Sequence, residues 1–286
     1  MRRAVGLAFV AVLLGVLGWG AVYAVGEARE RAAPPPAPPP PPPPPKPFRI
    51  IFPEGFSRAE MAQRIVVVRK IARQKRGART SLTAKAYLRS TARSSLPGRF
   101  ARDGKPRALE GFLFPATYEF TRKTTSKQLV ERQLEAFQRN WRTVNLTYAS
   151  SKNLTPYDVL IVASMIEKEA IAPDERALVS AVIYNRLKAR MPLGIDATIR
   201  YGLGVPGTEA LRESHLANTT PYNTRIHAGL PPTPIANPGL ASIQAAAHPA
   251  RVDYLFFVRK PDKVHHFFTA SESEFYAKSC EYGYSC

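Results

Sequence analysis

The chain has 286 residues, of which 45% are hydrophobic and 10% aromatic, and its 41 Lys and Arg against 22 Asp and Glu give a formal net charge of +19. This content can bury a full-sized core once the unusual first fifty residues are set aside, so we expect one main domain and one small one. The only cysteines, Cys280 and Cys286, close at most a small C-terminal loop, and their spacing does not indicate a metal site.

An uncharged run from residue 4 to residue 25 follows Arg2 and Arg3. It matches the ~20 residues that cross a bilayer and exceeds the roughly 7–15 residues of a signal-peptide core. We therefore predict a cytoplasmic N-terminus at residues 1–3 and an uncleaved transmembrane helix at residues 4–25, with signal-peptidase cleavage at residues 21–24 as the alternative. Since arginines tend to stay in the cytoplasm, the bulk of the chain is expected outside it.

Residues 34–47 are proline, interrupted only by Ala37 and Lys46. Such a run adopts polyproline II and would extend roughly 40 Å at about 3.1 Å per residue. We interpret residues 26–47 as a proline-rich stalk, and a ligand for a polyproline-reading domain is the alternative.

Much of the positive charge lies between Arg58 and Arg107. Nucleic acid would be the usual partner of so basic a chain, but the predicted anchor puts this chain on the wrong side of the membrane. We therefore expect no nucleic acid as a partner. Anionic lipid headgroups or acidic wall polymers fit better, and a merely solvated basic surface is the alternative.

Residues 48–107 are predicted to form a small strand–helix unit followed by a basic linker. A strand and turn lead to Ser57, which forms a capping box with Glu60 and starts a helix. Beyond Ile71 the sequence is basic and weakly patterned, which predicts a loop or a frayed helix end. A second helix is expected around residues 81–90. Its inward side chains would be Leu82, Tyr87 and Leu88.

The next two segments are predicted as scaffold around a groove. Residues 109–120 carry four aromatic residues with a glycine and a proline, which excludes a regular helix and suits a short extended segment. Phe112 and Phe114 are expected in the core. A helix capped by Thr125 should run from about residue 126 to 141.

The pattern of residues 155–169 predicts a helix that is buried on most sides. Thr155 is a hydroxyl N-cap, a proline occupies the first helical position, and apolar residues leave almost no polar face. The helix nevertheless ends in Glu167 and Glu169. Buried carboxylates are costly unless paired or exposed in a cleft, so these two are the first candidates for chemistry. They lie about 200° apart around the helix, and the sequence alone leaves open which one faces a cleft.

Seven motifs occur in order along the chain. They are Glu110–Tyr118, Ala163–Glu169, Val182–Leu187, Asp196–Gly202, Pro221–Thr224, Gly229–Gly239 and Ala245–Pro249. Together they resemble the endolytic murein transglycosylases, the YceG-like or MltG family, over roughly residues 48–276. A fuller LysM-like region is common in that family, whereas here the stalk leads to one strand–helix unit.

The resemblance implies an α+β fold. Its parts would be a single-pass membrane anchor, a small LysM-like unit with a basic linker at 48–107, a mainly helical catalytic domain with a β-hairpin at 108–279, and a tail at 280–286. The implied partners are peptidoglycan glycan strands, the cytoplasmic membrane and wall-synthesis enzymes. No metal or organic cofactor is expected.

The implied chemistry needs one acid. Glycosidic cleavage requires a proton on the leaving oxygen. In a lytic transglycosylase the 6-hydroxyl of the muramic sugar then attacks its own anomeric carbon, so one glutamate acts first as acid and then as base. The family motif assigns this role to the second acid, Glu169, and an apolar helix end would raise its pKa. A hydrolytic muramidase and a non-catalytic wall-binding scaffold are the alternatives.

The other candidate site residues are polar or aromatic side chains of the same motifs. Asn223 is the preferred partner for an N-acetyl group or for the catalytic glutamate, in a proline-stiffened wall formed by residues 222–224 and 229–239. Asp196 is expected in a loop, where it would orient a sugar hydroxyl or fix the loop. For Asn185 a structural hydrogen bond is an equal alternative. The full substrate-binding set is Glu110, Tyr118, Glu167, Asn185, Asp196, Thr198, Tyr222, Asn223, Thr224 and His265.

A hairpin is predicted near the C-terminus, with strands at residues 254–258 and 265–269. The adjacent His265 and His266 do not indicate zinc, because adjacent strand residues face opposite ways and no third ligand is spaced nearby. His265 is a groove candidate because the family ends with a similar His-x-Phe segment.

Overall fold

A computed structural model describes residues 46–92, 94, 96, 100 and 107–284. The predicted anchor, the stalk up to residue 45 and Cys286 lie outside these residues. Among the helices of the described part, none has both the length and the apolar character needed to cross a bilayer. Residues from Pro47 onward form one compact unit. The predicted boundary between residues 107 and 108 stays a prediction.

The first part of this unit contains a two-stranded sheet, and two helices lie between its strands along the chain. Strand β1 (Phe48–Ile51) pairs antiparallel with β2 (Thr117–Phe120), with Phe48 opposite Phe120. Helices α1 (Arg58–Arg76) and α2 (Ala84–Ala92) lie between them along the chain and pack against each other. The predicted capping box of Ser57 and Glu60 is confirmed at the start of α1.

Two details of these helices differ from the prediction. Helix α1 does not fray beyond Ile71 but continues to Arg76. Gly77 caps it in the left-handed conformation, and the basic side chains of its last turn interact favourably with the helix dipole. Leu88 is exposed rather than inward. In α2 the buried positions are Tyr87 and Thr91, one turn apart, and residue 88 is rotated about 100° from the first of them.

Helix α5 (Pro156–Glu169) is the central element of the fold. Thr155 caps it in a capping box with Asp158, and every residue from Val159 to Ile166 is buried, so both predictions for this helix are confirmed. Helices α6 (Arg176–Lys188) and α9 (Leu240–Ala247) pack against it and against each other. The apolar packing fixes the position of the acidic end of α5.

The remaining elements surround this centre. They are α3 (Ser126–Trp141), α4 (Thr147–Ser151), a short 3-10 turn (Pro173–Glu175), α7 (Asp196–Leu203), α8 (Glu213–Leu216), the strands β3 (Phe256–Arg259) and β4 (His266–Thr269), and α10 (Glu272–Glu281). The mixture of helices with two small antiparallel sheets confirms the α+β class. Strands β3 and β4 form the predicted hairpin, and α10 packs on both of them.

A buried acid–histidine pair ties the hairpin to the start of α6. The carboxylate of Glu175 accepts the backbone N–H of His266 at 2.8 Å and lies 2.7 Å from its ring Nδ1. Both side chains are almost fully buried. Glu175 follows the end of α5 by six residues, so this pair holds the hairpin against the segment that leads from α5 to α6.

A tight turn at Gly111 brings the 110–116 segment against the proline-rich loop formed by residues 229–239. Its φ is +88°, and a Cβ at this position would lie 2.7 Å from the ring carbons Cβ and Cγ of Pro234. Glycine is required here because both the backbone conformation and the close approach exclude a side chain. The preceding residue, Glu110, is thereby directed into the protein interior.

Candidate active site

Glu169 is the last residue of α5 and remains partly accessible to solvent. Burial is the main cause that raises the pKa of its carboxyl to about 7. The positive charge of Arg259 opposes the rise, the negative charge of Asp196 adds to it, and the backbone N–H of Ala197 opposes it. A carboxyl with these neighbours exchanges its proton near neutral pH, which is what a general acid requires.

The start of α7 faces Glu169. Asp196 and Ala197 are the first two residues of this helix, so the sequence prediction of a loop at Asp196 is wrong. The helix forms because Gly204 caps its far end in the left-handed conformation, and because Thr198 Oγ1 bonds to the carbonyl of Ile195. A helix N-terminus stabilises a nearby carboxylate, here that of Glu169.

Asp196 forms an exposed ion pair with Arg225 at the start of α7. Its Oδ1 lies 2.7 Å from Nη2 and 2.8 Å from Nε of Arg225, and both side chains are 45% exposed. An exposed pair of this kind contributes little to stability. It does leave a second carboxylate close enough to Glu169 to affect its pKa.

Two predicted site threonines are buried under the start of α7. The hydroxyls of Thr198 and Thr224 lie 3.0 Å apart, and the backbone N–H of Ile195 donates to Thr224 Oγ1 at 3.0 Å. The N–H of Gly194 donates to the carbonyl of Thr224 at 2.9 Å. These bonds join the 222–224 segment to the start of α7 and to the residues just before it.

Tyr222 packs against the same helix. Its ring lies 5.2 Å from that of Tyr201, and its hydroxyl is 2.8 Å from Thr233 Oγ1 in the proline-rich loop. The approach depends on Gly202, where a Cβ would lie only 2.7 Å from Cβ of Tyr222. Tyr222 therefore connects α7 with the proline-rich loop.

Asn223 is fully buried and holds its own loop together. Its Nδ2 donates to the carbonyls of Leu216 and Asn218 at 2.8 and 2.7 Å, and its Oδ1 accepts the N–H of Arg225 at 3.0 Å. Every polar atom of the side chain thus has a protein partner. The structure gives Asn223 the role of fixing the loop, and its predicted contact with an N-acetyl group stays a prediction.

Glu110 is a buried junction between three segments. Its carboxylate accepts the N–H of Arg58 at 3.0 and 3.2 Å, the hydroxyl of Tyr201 at 3.1 Å and Nδ2 of Asn237 at 2.8 Å. Burial raises its pKa to about 7, and these donors oppose the rise. Because Glu110 is 2% exposed and its oxygens already accept these bonds, Glu169 is better placed to give a proton to an incoming molecule.

Glu167 points to a different side of α5 from Glu169. Its Oε2 accepts the N–H of Gly239, which precedes α9, at 3.0 Å. It lies near Glu54, whose pKa is raised chiefly by burial and then by the charge of Glu167. The two candidate acids of the sequence thus have different surroundings. Glu169 lies beside the start of α7, and Glu167 bonds to the start of α9.

Three further predicted site residues make their side-chain bonds to groups other than Glu169. The Tyr118 hydroxyl donates to the carbonyl of Phe114 at 2.7 Å within the first part of the fold. The amide of Asn185 donates to two carbonyls of the segment before β3, in line with its structural alternative. His265 is exposed and pairs with Asp262 at 2.9 Å. Their predicted substrate contacts remain predictions.

Sequence reasoning missed Arg259, Asn237 and Arg225. Arg259 lies one position beyond the predicted strand, and Asn237 is hidden in the proline-rich motif, so neither carried a local signal. Tertiary contacts identify them: Arg259 acts on Glu169, Asn237 donates to Glu110, and Arg225 pairs with Asp196. Within the described ranges, no group of three or more His, Cys, Asp or Glu side chains is placed to hold a metal ion.

Comparison with known proteins places this chain among YceG-like sequences. The sequence profile of the YceG-like family matches residues 42–280. An endolytic murein transglycosylase of Bacillus subtilis strain 168 is 41% identical over 155 residues, which are 53% of this chain and 42% of that protein. The protein of that name from Streptococcus pneumoniae R6 is 33% identical over 231 residues, 73% of this chain and 40% of that protein. The matches thus span about two fifths of these relatives.

A solved structure is also similar. The crystal structure of a yceG-like protein from Listeria monocytogenes superposes on this chain with a TM-score of 0.66 at 27% identity. The match covers 81% of this chain and 76% of the other.

Proposed function

Because this chain belongs to the YceG-like family, we propose that it is an endolytic lytic transglycosylase of peptidoglycan. It would cleave the MurNAc-β-1,4-GlcNAc bond within glycan strands and leave a 1,6-anhydro-MurNAc end, in keeping with the names of its relatives from B. subtilis and S. pneumoniae. The observation that carries the proposal is Glu169, a partly accessible carboxyl whose pKa is raised to about 7 at the end of an apolar helix.

The proposed reaction uses Glu169 twice. Its protonated carboxyl donates to the glycosidic oxygen as the bond from that oxygen to the anomeric carbon breaks. The 6-hydroxyl oxygen of the same muramic sugar then bonds to the anomeric carbon, and its proton returns to the Glu169 carboxylate. No water is consumed, and the acid is restored for the next cycle.

The neighbours of Glu169 keep its pKa in a useful range. Burial alone would favour the protonated acid too strongly for it to act as a base, and Arg259 with the Ala197 N–H stabilises the carboxylate. Asp196 opposes them. The buried threonines, Asn223 and Glu110 would act through the position of α7 and its flanking loops.

These charges predict opposite shifts in the pH dependence of cleavage. The first step needs protonated Glu169, so kcat/KM should fall as the pH rises past about 7. Arg259→Gln removes a charge that lowers the pKa of Glu169, and should move this limb to higher pH. Asp196→Asn removes a charge that raises the pKa, and should move it to lower pH, each by up to about 1 unit. The measurement is release of soluble fragments from sacculi between pH 5 and 9.

The control for these shifts is Lys188→Gln, an exposed charge at the far end of α6. Its limb should match that of the unaltered protein. If Arg259→Gln and Asp196→Asn moved the limb in the same direction, Glu169 would not be the group that titrates.

A hydrolytic muramidase is the second candidate, and the position of Asp196 favours it. Most glycosidases use two carboxylates, and Asp196 lies close enough to Glu169 to raise its pKa. Analysis of the product ends separates the two reactions. A 1,6-anhydro sugar supports the transglycosylase, whereas a reducing end supports the muramidase with Asp196 as its second acid.

We further propose that the chain is a single-pass protein of the cell membrane. Residues 1–3 would lie in the cytoplasm, residues 4–25 would cross the membrane, and residues 26–47 would form a stalk that holds the folded part outside. The uncharged run after Arg2 and Arg3 and the proline run support this topology. Protease added to intact spheroplasts should therefore degrade the part after residue 47, and protection of that part would contradict the topology.

The proposed role is control of glycan length during wall synthesis, next to wall-synthesis enzymes. The strand–helix–helix order of β1, α1 and α2 supports a reduced LysM-like unit within residues 48–107, ahead of the catalytic part. Hydrogen bonds from Gly55 to Asn237 and from Arg58 to Glu110 join that unit to the loops of the candidate site.

A further inference from the structure

A cavity of about 660 Å³ lies beside α6, on residues that do not include Glu169 or its neighbours. Its walls are the 181–185 side of α6, Tyr148 of α4, and the segment 249–254 that leads into β3. The volume falls within the range of about 300–1,000 Å³ that is typical of small-molecule sites.

The cavity wall is fixed in the protein without a ligand. The N–H of Ala250 donates to the carbonyl of Ala177 at 2.9 Å, and the amide of Asn185 donates to the carbonyls of Val252 and Tyr254 at 3.0 and 2.9 Å. Both ends of the 250–254 segment are therefore attached to α6. A site formed in advance avoids much of the ordering cost of binding.

Three tyrosines give the cavity its aromatic surface. The rings of Tyr148 and Tyr184 lie 5.9 Å apart, and the Tyr184 hydroxyl donates to the carbonyl of Ala246 at 2.7 Å, which holds that ring in place. Tyr254 stacks against Phe268 of the hairpin at 6.0 Å. Rings held in this way offer flat apolar surface with a polar edge.

The polar groups of the cavity do not suit a strongly charged ligand. Arg251 and Asp253 are exposed at its rim, two residues apart, and their charges cancel. A phosphate-bearing molecule would require an excess of cations, and a lipid tail would require a wall without carboxylate or amide groups. A pyranose ring has apolar C–H faces and hydroxyls around its edge, which match tyrosine rings and a rim of Asn185, Arg251 and Asp253.

We propose that this cavity binds an N-acetylated sugar unit of a glycan strand, as an accessory site separate from the cleavage centre. The proposal rests on the proposed function, since it takes the same polymer as ligand. Tyr254 and Arg259 are five positions apart in the chain, which bounds the distance between their Cα atoms at about 18 Å. One glycan strand can therefore contact both places, and the accessory site would favour long strands over short fragments.

Amide hydrogen exchange on the full chain in detergent tests the proposal, with Glu169→Gln as background so that no ligand is consumed. The probe is the β-1,4-linked tetramer of N-acetylglucosamine. We expect the tetramer to slow exchange in residues 250–254 at least threefold.

Two changes to the cavity test whether it is the binding site. Ala250→Trp fills the cavity while keeping the backbone bond to Ala177, and Arg251→Ala with Asp253→Ala removes the rim. Both changes should abolish this protection, whereas Lys188→Ala, on the same helix outside the cavity, should leave it intact.

The outcomes separate this proposal from the proposed function. Unchanged exchange at 250–254, or protection there by a short acidic peptide instead of the tetramer, overturns the accessory site. Protection that persists in Ala250→Trp does the same. Cleavage of sacculi by the unaltered protein is measured independently, so its absence together with protected 250–254 amides would remove the enzyme proposal and leave the sugar site standing.

Discussion

Replacing Glu169 by glutamine should lower the rate of glycan cleavage by about 10²- to 10⁴-fold, the usual contribution of a general acid and base. Glutamine keeps the size of the side chain but cannot donate a proton to the glycosidic oxygen. The measurement is the release of fragments with 1,6-anhydro ends from purified sacculi. The same change tests the scaffold alternative, because a scaffold would have no cleavage to lose.

Loss of folding would not explain that result. The pKa of Glu169 is about 7 in the folded chain, above the ordinary value of 4.5, so this carboxyl costs folding stability as the pH rises from 4.5 through 7. The glutamine variant should therefore be at least as stable as the unaltered protein at pH 8. Glu167→Gln is the matched control, because a glutamine oxygen still accepts the N–H of Gly239. If this variant lost as much activity as Glu169→Gln, the assignment of the acid would be wrong.

Replacing Glu175 by alanine should lower the free energy of unfolding by about 2–6 kcal/mol, because two buried groups of His266 lose their partner at roughly 1–3 kcal/mol each. The change leaves the backbone N–H and ring Nδ1 of His266 buried without their partner, and it detaches the hairpin from the start of α6. Chemical denaturation at pH 7 measures the loss. Because β3 carries Arg259, the loosened hairpin should also move the pH limb of cleavage upward.

Two control variants show whether the loss of stability in Glu175→Ala comes from the burial of the Glu175–His266 pair. Glu175→Gln can keep a hydrogen bond to the His266 N–H and should lose much less stability than the alanine variant. Asp262→Ala removes an exposed acid that pairs with the His265 ring and accepts the N–H groups of Val264 and His265. Because that turn is exposed to water, the loss should again be much smaller. A similar loss in the alanine variants at 175 and 262 would contradict the role given to the buried pair.

The sequence predicted the elements whose signals are local. The caps at Ser57, Thr125 and Thr155 are read within four residues, and the apolar pattern of α5 spans its whole length, so these helices are found where expected. The hairpin at the C-terminus has the same kind of signal.

The candidate site was harder because it depends on partners far apart in the chain. Glu110 was predicted to bind substrate, yet it accepts bonds from residues 58, 201 and 237, which no local pattern connects. The helix at Asp196 was expected as a loop, since Pro192 and Gly194 precede it and it is only eight residues long. Short helices depend on tertiary contacts more than on their own sequence.

The contact between Gly202 and Tyr222 also limits how this chain can change in evolution. With the tyrosine Cβ only 2.7 Å from the place of a new Cβ at 202, any larger residue there forces the two segments apart. A side chain at position 202 is therefore tolerated only together with a shift of the 220–222 segment, because Thr220 Oγ1 would also lie 3.0 Å from the new Cβ. Substitutions at position 202 and within the 220–222 segment are therefore expected to occur together rather than singly.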